Sequence, residues 1–145
     1  MKNRNEFLSP TEQDLLAKKI DEIESVTDAE LRIHIESYCK VDPMSRAAKV
    51  FKDLKMYKTK ERNGVLFYIA IEDHKLAVWG DEAIHKDLGQ SFWDEEIEIL
   101  LNHFKKQEFY QGLVKALDNV KAKLEELYPF TGHKNELSNE ISFGQ

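Results

Sequence analysis

The spacing of hydrophobic and polar positions changes period several times along the chain, and each change marks an element. Ser9-Pro10-Thr11-Glu12 combines a Ser N-cap, a Pro at the first helical position and a Glu three residues after the cap, which predicts a helix start. Leu15, Leu16, Ile20, Ile23 and Val26 follow at helical spacing, with Lys and Glu opposite them. Thr27-Asp28 ends that period. Leu31 to Glu36 alternates apolar with polar, which predicts a strand with one wet face, nearer an edge than the later run Val65 to Ile71. Asp42-Pro43 repeats the cap-then-Pro signal, and Met44, Ala47, Ala48, Phe51 and Leu54 share one side of the helix it opens. Val65 to Ile71 is uncharged throughout, too short to cross a bilayer as a helix and too continuous for a half-wet strand. It predicts a central strand covered on both faces. Glu72-Asp73-His74-Lys75 supplies a polar turn, and Leu76 to Trp79 returns as an antiparallel partner before Gly80.

A helix between two strands implies a crossover, so the strands at Leu31 and Val65 should run parallel with a right-handed connection. The hairpin strand makes the sheet mixed. After Gly80 the pattern gives a short segment, Glu82 to Leu88, then helices over about Phe92 to Lys106 and Tyr110 to Tyr128, the second stopped by Pro129. Both helices need a sheet face to cover. These elements describe one α/β domain over residues 1–130. Thr131 to Gln145 has no periodicity and isolated Leu137, Ile141 and Phe143, which predicts a disordered tail.

Composition fits that picture. With 145 residues, 41% apolar, the chain suffices for one packed core and is not disordered as a whole. A formal charge of -6 argues against a nonspecific grip on nucleic acid. Lys49, Lys52, Lys55, Lys58 and Lys60 form a local basic run at helical spacing, read as a solvated face or as a surface for a protein partner. Cys39 is the single cysteine, so an internal disulfide and a Cys-based zinc site are excluded. MKNRNEFLSPTEQ lacks the apolar core of a signal peptide, and no stretch reaches the roughly 18 to 20 apolar residues that cross a bilayer. A cytoplasmic monomer is the expectation.

Four blocks together are similar to one known family. Glu30-Leu31-Arg32-Ile33, Asn63-Gly64-Val65-Leu66, Gly80-Asp81-Glu82 and Phe109-Tyr110-Gln111-Gly112-Leu113 stand in the order and spacing of TPM domains, and the resemblance spans about Glu12 to Pro129. It implies a three-layer α/β/α sandwich on a small mixed Rossmann-like sheet, frequent divalent cation binding, and acid phosphatase activity in some members. Many members are exported or membrane-anchored, features this sequence does not display.

The predicted topology brings Asp28, Glu30, Asn63, Asp81 and Glu82 to one edge of the sheet, with Asp94 added from the start of a later helix. Hard cations such as Ca²⁺ and Mg²⁺ take carboxylate, amide and water oxygens, so this edge is the candidate metal site. Each carboxylate also has a structural reading: Asp28 as a turn residue, Glu30 as an ion-pair member, Asp81 as a helix cap. Trp79 and Trp93 flank the edge as the expected wall of a pocket, and Arg62 is the guanidinium that a phosphatase would need there. At the opposite edge stand His34, Glu36, Ser37 and Tyr38 with Glu72, Asp73 and His74. A transition metal there would require His34 and His74 to meet. No Gly-x-Ser-x-Gly elbow, glycine-rich phosphate loop or Cys-x5-Arg motif is present, so hydrolysis would run through metal and carboxylates. Three functions follow: weak Ca²⁺ or Mg²⁺ binding, metal-dependent phosphomonoester hydrolysis, and protein interaction without a ligand.

Overall fold

The structure is a computed structural model and describes residues 4–132 and 141–144. Helix α1 (Arg4–Phe7) leads into α2 (Pro10–Glu24), then β1 (Glu30–Glu36), α3 (Pro43–Asp53), β2 (Gly64–Ala70), β3 (Lys75–Gly80), α4 (Glu82–Leu88), α5 (Gln90–Lys105), α6 (Phe109–Leu127) and β4 (Ser142–Phe143). The start of α2 is the capping box its sequence predicts: Glu12 N–H donates to Ser9 Oγ at 3.1 Å, and Ser9 N–H donates to Glu12 Oε1 at 3.0 Å. Asp42 caps α3 by accepting from Ser45 N–H.

The four strands stand in the order β3-β2-β1-β4. β1 and β2 are parallel, with Glu30 opposite Gly64, and β3 returns antiparallel along β2, with Val65 opposite Gly80. Strand alternation sends Leu31, Ile33, Ile35, Val65, Phe67 and Ile69 to one face, where they pack with Leu16, Ile20, Leu100, Leu113, Leu117 and Val120 of α2, α5 and α6. Leu66, Tyr68, Ala70 and Ala77 go to the other face, beneath Ala47, Val50 and Phe51 of α3. The result is a three-layer α/β/α sandwich with a small mixed Rossmann-like sheet. All seven residues of β2 are buried, as its uncharged run requires. Each of its large apolar side chains contributes about 1.5–3 kcal/mol by burial.

Three sequence expectations change. β1 is not wet on one face, and β4 lies beside its end, with His34 opposite Ser142 and Ile35 opposite Phe143. Of its polar residues Glu30, His34 and Glu36 are buried and only Arg32 is half-buried. The expected disordered tail is also corrected where it is described, since Ile141 packs on the core and Ser142–Phe143 are paired in the sheet. The remainder of that tail, 133–140 and 145, lies outside the described residues. Leu15, placed on the apolar stripe of α2, is instead 43% exposed, and Glu24 is buried on that helix.

Candidate functional site

The starts of β1 and β2 and the end of β3 meet at one end of the sheet, as the parallel crossover and the hairpin dictate. Asn63 directly precedes β2 and is 1% exposed. Its N–H donates to Thr59 Oγ1, while its side-chain Oδ1 is buried and meets no donor among the described residues. Glu30, on β1 opposite Gly64, is also buried. Beside it lies a residue that the sequence reading passed over, Glu24 in the last turn of α2. Glu24 Oε2 accepts from Leu31 N–H at 2.8 Å, and the carboxyl also shares a hydrogen bond with Glu30. Burial first, and then the charge of Glu30, push the Glu24 carboxyl up to about 9. The signal for Glu24 was present as a carboxylate at i+4 from Ile20 and adjacent to Ile23, on the buried stripe rather than opposite it.

The other acidic residues of the predicted set are engaged separately. Asp81 is buried and takes a bidentate pair from Arg62, Nε to Oδ2 at 2.8 Å and Nη2 to Oδ1 at 2.9 Å. Asp81 Oδ1 also caps α4 by accepting from Glu82 N–H. Arg62 reaches Glu82 with Nη1 at 3.4 Å, and the Asp81 hydrogen bonds raise the Arg62 pKa further. Asp28 accepts from the Thr131 N–H and hydroxyl, which fastens the chain after α6 to the turn before β1. Asp94 is exposed on α5 and accepts from Gln90 one turn earlier. The two tryptophans do not form one wall. Trp93 is buried in the core on the α5 side, and Trp79 packs with the α3 layer on the other face of the sheet.

As a metal site this end offers hard oxygen donors and no preformed cage. Among the described residues no three or more His, Cys, Asp and Glu stand together as a metal-binding group. Glu24, Glu30 and the Asn63 amide oxygen suit a hard cation by their chemistry, with water completing a shell of six or more oxygens. Glu24 must first give up its proton.

The opposite end of β1 holds a closed polar cluster. Glu36 is 4% exposed and accepts from Arg46 Nε and Nη2 on α3 at 2.8 and 2.6 Å, and from the Tyr68 hydroxyl on β2 at 2.5 Å. Burial alone would raise its carboxyl, but the hydrogen bonds from Arg46, Tyr68 and His34 overcome that and hold it at about 2. His34 lies 3.1 Å from Glu36 through Nε2 and 2.8 Å from Ser142 Oγ through Nδ1. Its ring is stacked near Tyr68, and burial lowers its pKa. Gly144 closes the cluster: a Cβ there would collide with Glu36 Oε1 and His34 Nε2. His74 is exposed on the β2–β3 turn, away from this closed cluster, so the two histidines that a transition metal would require together do not meet.

The model of the TPM domain family matches residues 1–123. This chain belongs to that family. Solved structures share this fold. The NMR structure of BA42 protein, from the psychrophilic bacterium Bizionia argentinensis, is similar at 35% identity and a TM-score of 0.89, with 99% of this chain and all of that one covered. The N-terminal domain of a P. gingivalis protein, solved by NMR, shares 14% identity with a TM-score of 0.72, covering 90% of this chain and 85% of that one, and so shares the fold. No curated protein matches the chain. In this TPM domain, no helix among the described residues is long and apolar enough to cross a membrane.

Proposed function

We infer that this TPM domain binds a divalent cation, Ca²⁺ or Mg²⁺, weakly at the end of the sheet where Glu24, Glu30 and Asn63 lie. One observation carries the reading: Asn63 Oδ1 is a buried acceptor that meets no donor among the described residues, at the same end of the sheet as the buried Glu24 and Glu30 carboxyl pair. An acceptor in that state costs about 1–3 kcal/mol of lost hydration, which a bound cation would return. The affinity is weak because Glu24 holds its proton at neutral pH and the cation has to displace it. Asp81 belongs to Arg62 and to the cap of α4, and so supports the site without being a ligand.

The test is an amide-resolved NMR titration of chelator-treated protein with CaCl2 and then MgCl2. Saturable shifts are expected around Glu24, Glu30 and Asn63, absent in Glu30→Gln and retained in Asp94→Asn. A lack of saturation at millimolar ion sinks the reading. Phosphomonoester hydrolysis is the second reading, supported by family resemblance and by Arg62 standing 42% exposed beside Asp81. A phosphate would have to compete for a guanidinium already held bidentately, which ranks it second. Turnover of para-nitrophenyl phosphate with Mg²⁺ that is lost in Arg62→Ala would promote it.

A further inference from the structure

A cavity of about 480 Å³ opens at the other end of the sheet from the acidic residues, where β2 ends and the β2–β3 turn meets the α5–α6 turn. Its walls are Phe7, Ile69, Ile71, Leu76, Leu101, Phe104 and Phe109 in the main, a lining far more apolar than polar. The volume lies in the range of small-molecule sites, and open α/β sheets characteristically take ligands outside the carboxyl ends of their parallel strands. Three phenylalanines are locked together in its wall. Phe7 meets Phe104 edge-on at 5.5 Å and Phe109 at 4.5 Å, and Phe104 meets Phe109 at 5.3 Å. The rim is held in unusual backbone: His74 and Gln107, one on each turn, have φ of 54° and 60°. Such left-handed residues cost energy that the surrounding structure must repay, and they concentrate at ligand sites.

The polar groups at the rim decide the ligand. Glu72 is half-buried, fixed through its N–H to Ser37 C=O at 2.8 Å, and its Oε1 is buried with no donor among the described residues. Lys105 and His74 are both exposed, so their polar ends stand in water. Glu72 is thus the half-buried ionic residue of the lining, in a pocket whose wall also holds aromatic rings with faces that attract cations. We propose that this pocket binds a small organic ammonium with an aryl or branched-alkyl body, the body against Phe104, Phe109, Ile71 and Leu101 and the ammonium on Glu72. The site is separate from the proposed cation site and does not depend on it.

The experiment titrates chelator-treated, ¹⁵N-labelled protein with phenethylammonium, 2-phenylethanol and phenylacetate, three probes that share a body and differ in charge. Saturable shifts are expected at Ile69 to Leu76 and Leu101 to Phe109, with phenethylammonium tighter than phenylacetate by about tenfold, the ratio one part-buried ion pair supplies. Glu72→Gln should bring that ratio to near one while 2-phenylethanol binding is kept. Leu101→Lys, which adds a cation to the wall at an already exposed position, should weaken phenethylammonium and spare phenylacetate. Tighter binding of phenylacetate, an unchanged ratio in Glu72→Gln, shifts confined to the Glu24 and Glu30 end, or no saturation by any probe at tens of millimolar each overturns the proposal.

Discussion

Glu36 shows how a buried charge is kept at the level of single residues. Its two oxygens receive Arg46, Tyr68 and His34, so no lone charge is left in the interior. Removing one partner is more costly than the net worth of the pair, because the carboxylate then stays buried and under-bonded. Arg46→Ala should cost about 2–4 kcal/mol in urea unfolding, somewhat below the usual loss for a fully buried pair since the Arg46 side chain is 31% exposed. Lys49→Ala removes the exposed pair with Asp53 and should change stability by less than about 0.5 kcal/mol. Tyr68→Phe, which deletes one hydrogen bond to a charged acceptor and little volume, should cost about 1.5–3 kcal/mol. The sequence revealed that His34 and Glu36 share a face and concealed that the face is dry. Alternation looks identical whether the polar side of a strand meets water or a second layer of the protein.

At the scale of elements, close approach explains residues that pattern alone cannot. A Cβ on Gly80, the last residue of β3, would sit 2.9 Å from the Trp93 ring of α5 and 3.2 Å from Ile84 of α4. A Cβ on Gly112 would sit 2.8 Å from His103 Cβ, where α6 crosses α5. Gly80→Ala should therefore lower stability by about 1–3 kcal/mol, read by thermal unfolding, with near-ultraviolet circular dichroism reporting the displaced tryptophan. Gly144→Ala acts on a smaller element. It should detach β4, seen as faster amide exchange at Ile35 and Phe143, with β2 and β3 unaffected. Caps, the crossover and the hairpin were legible because each is written within a few neighbouring residues. β4 was not, because two residues give no period and its partner is 108 positions away. The same limit hid Glu24, whose place beside Glu30 depends on how α2 lies on the sheet.

For the whole molecule, the shifted groups shape stability against pH. Glu36 at about 2 lies below its ordinary 4.5, so its contribution is present above pH 4.5 and is lost as pH falls toward 2. His34, lowered by burial, acts in the same direction below its ordinary 6.5. Glu24 at about 9 and Glu96 at about 7 are both raised chiefly by burial. In their windows the folded state holds protons the unfolded chain has released, so stability falls as pH rises from 4.5. In chelator, the melting temperature should decline from pH 6.5 to 9 and from pH 4.5 to 2. Glu24→Gln should flatten the alkaline decline and leave the acid one unchanged, whereas Glu36→Gln should do the reverse.

β4 joins the sheet beside a strand made more than a hundred residues earlier. At roughly 5–20 residues per second, a ribosome takes on the order of 5–20 s to travel from His34 to Ser142. During that interval the His34–Ile35 part of β1's flank lacks its strand partner, with the Glu36 pocket lacking its roof. Nascent chains on neighbouring ribosomes would present the same open flank to one another, the arrangement that invites intermolecular strand pairing. β4, made so long after its partner, thus sets how long the His34–Ile35 flank stays open to other copies.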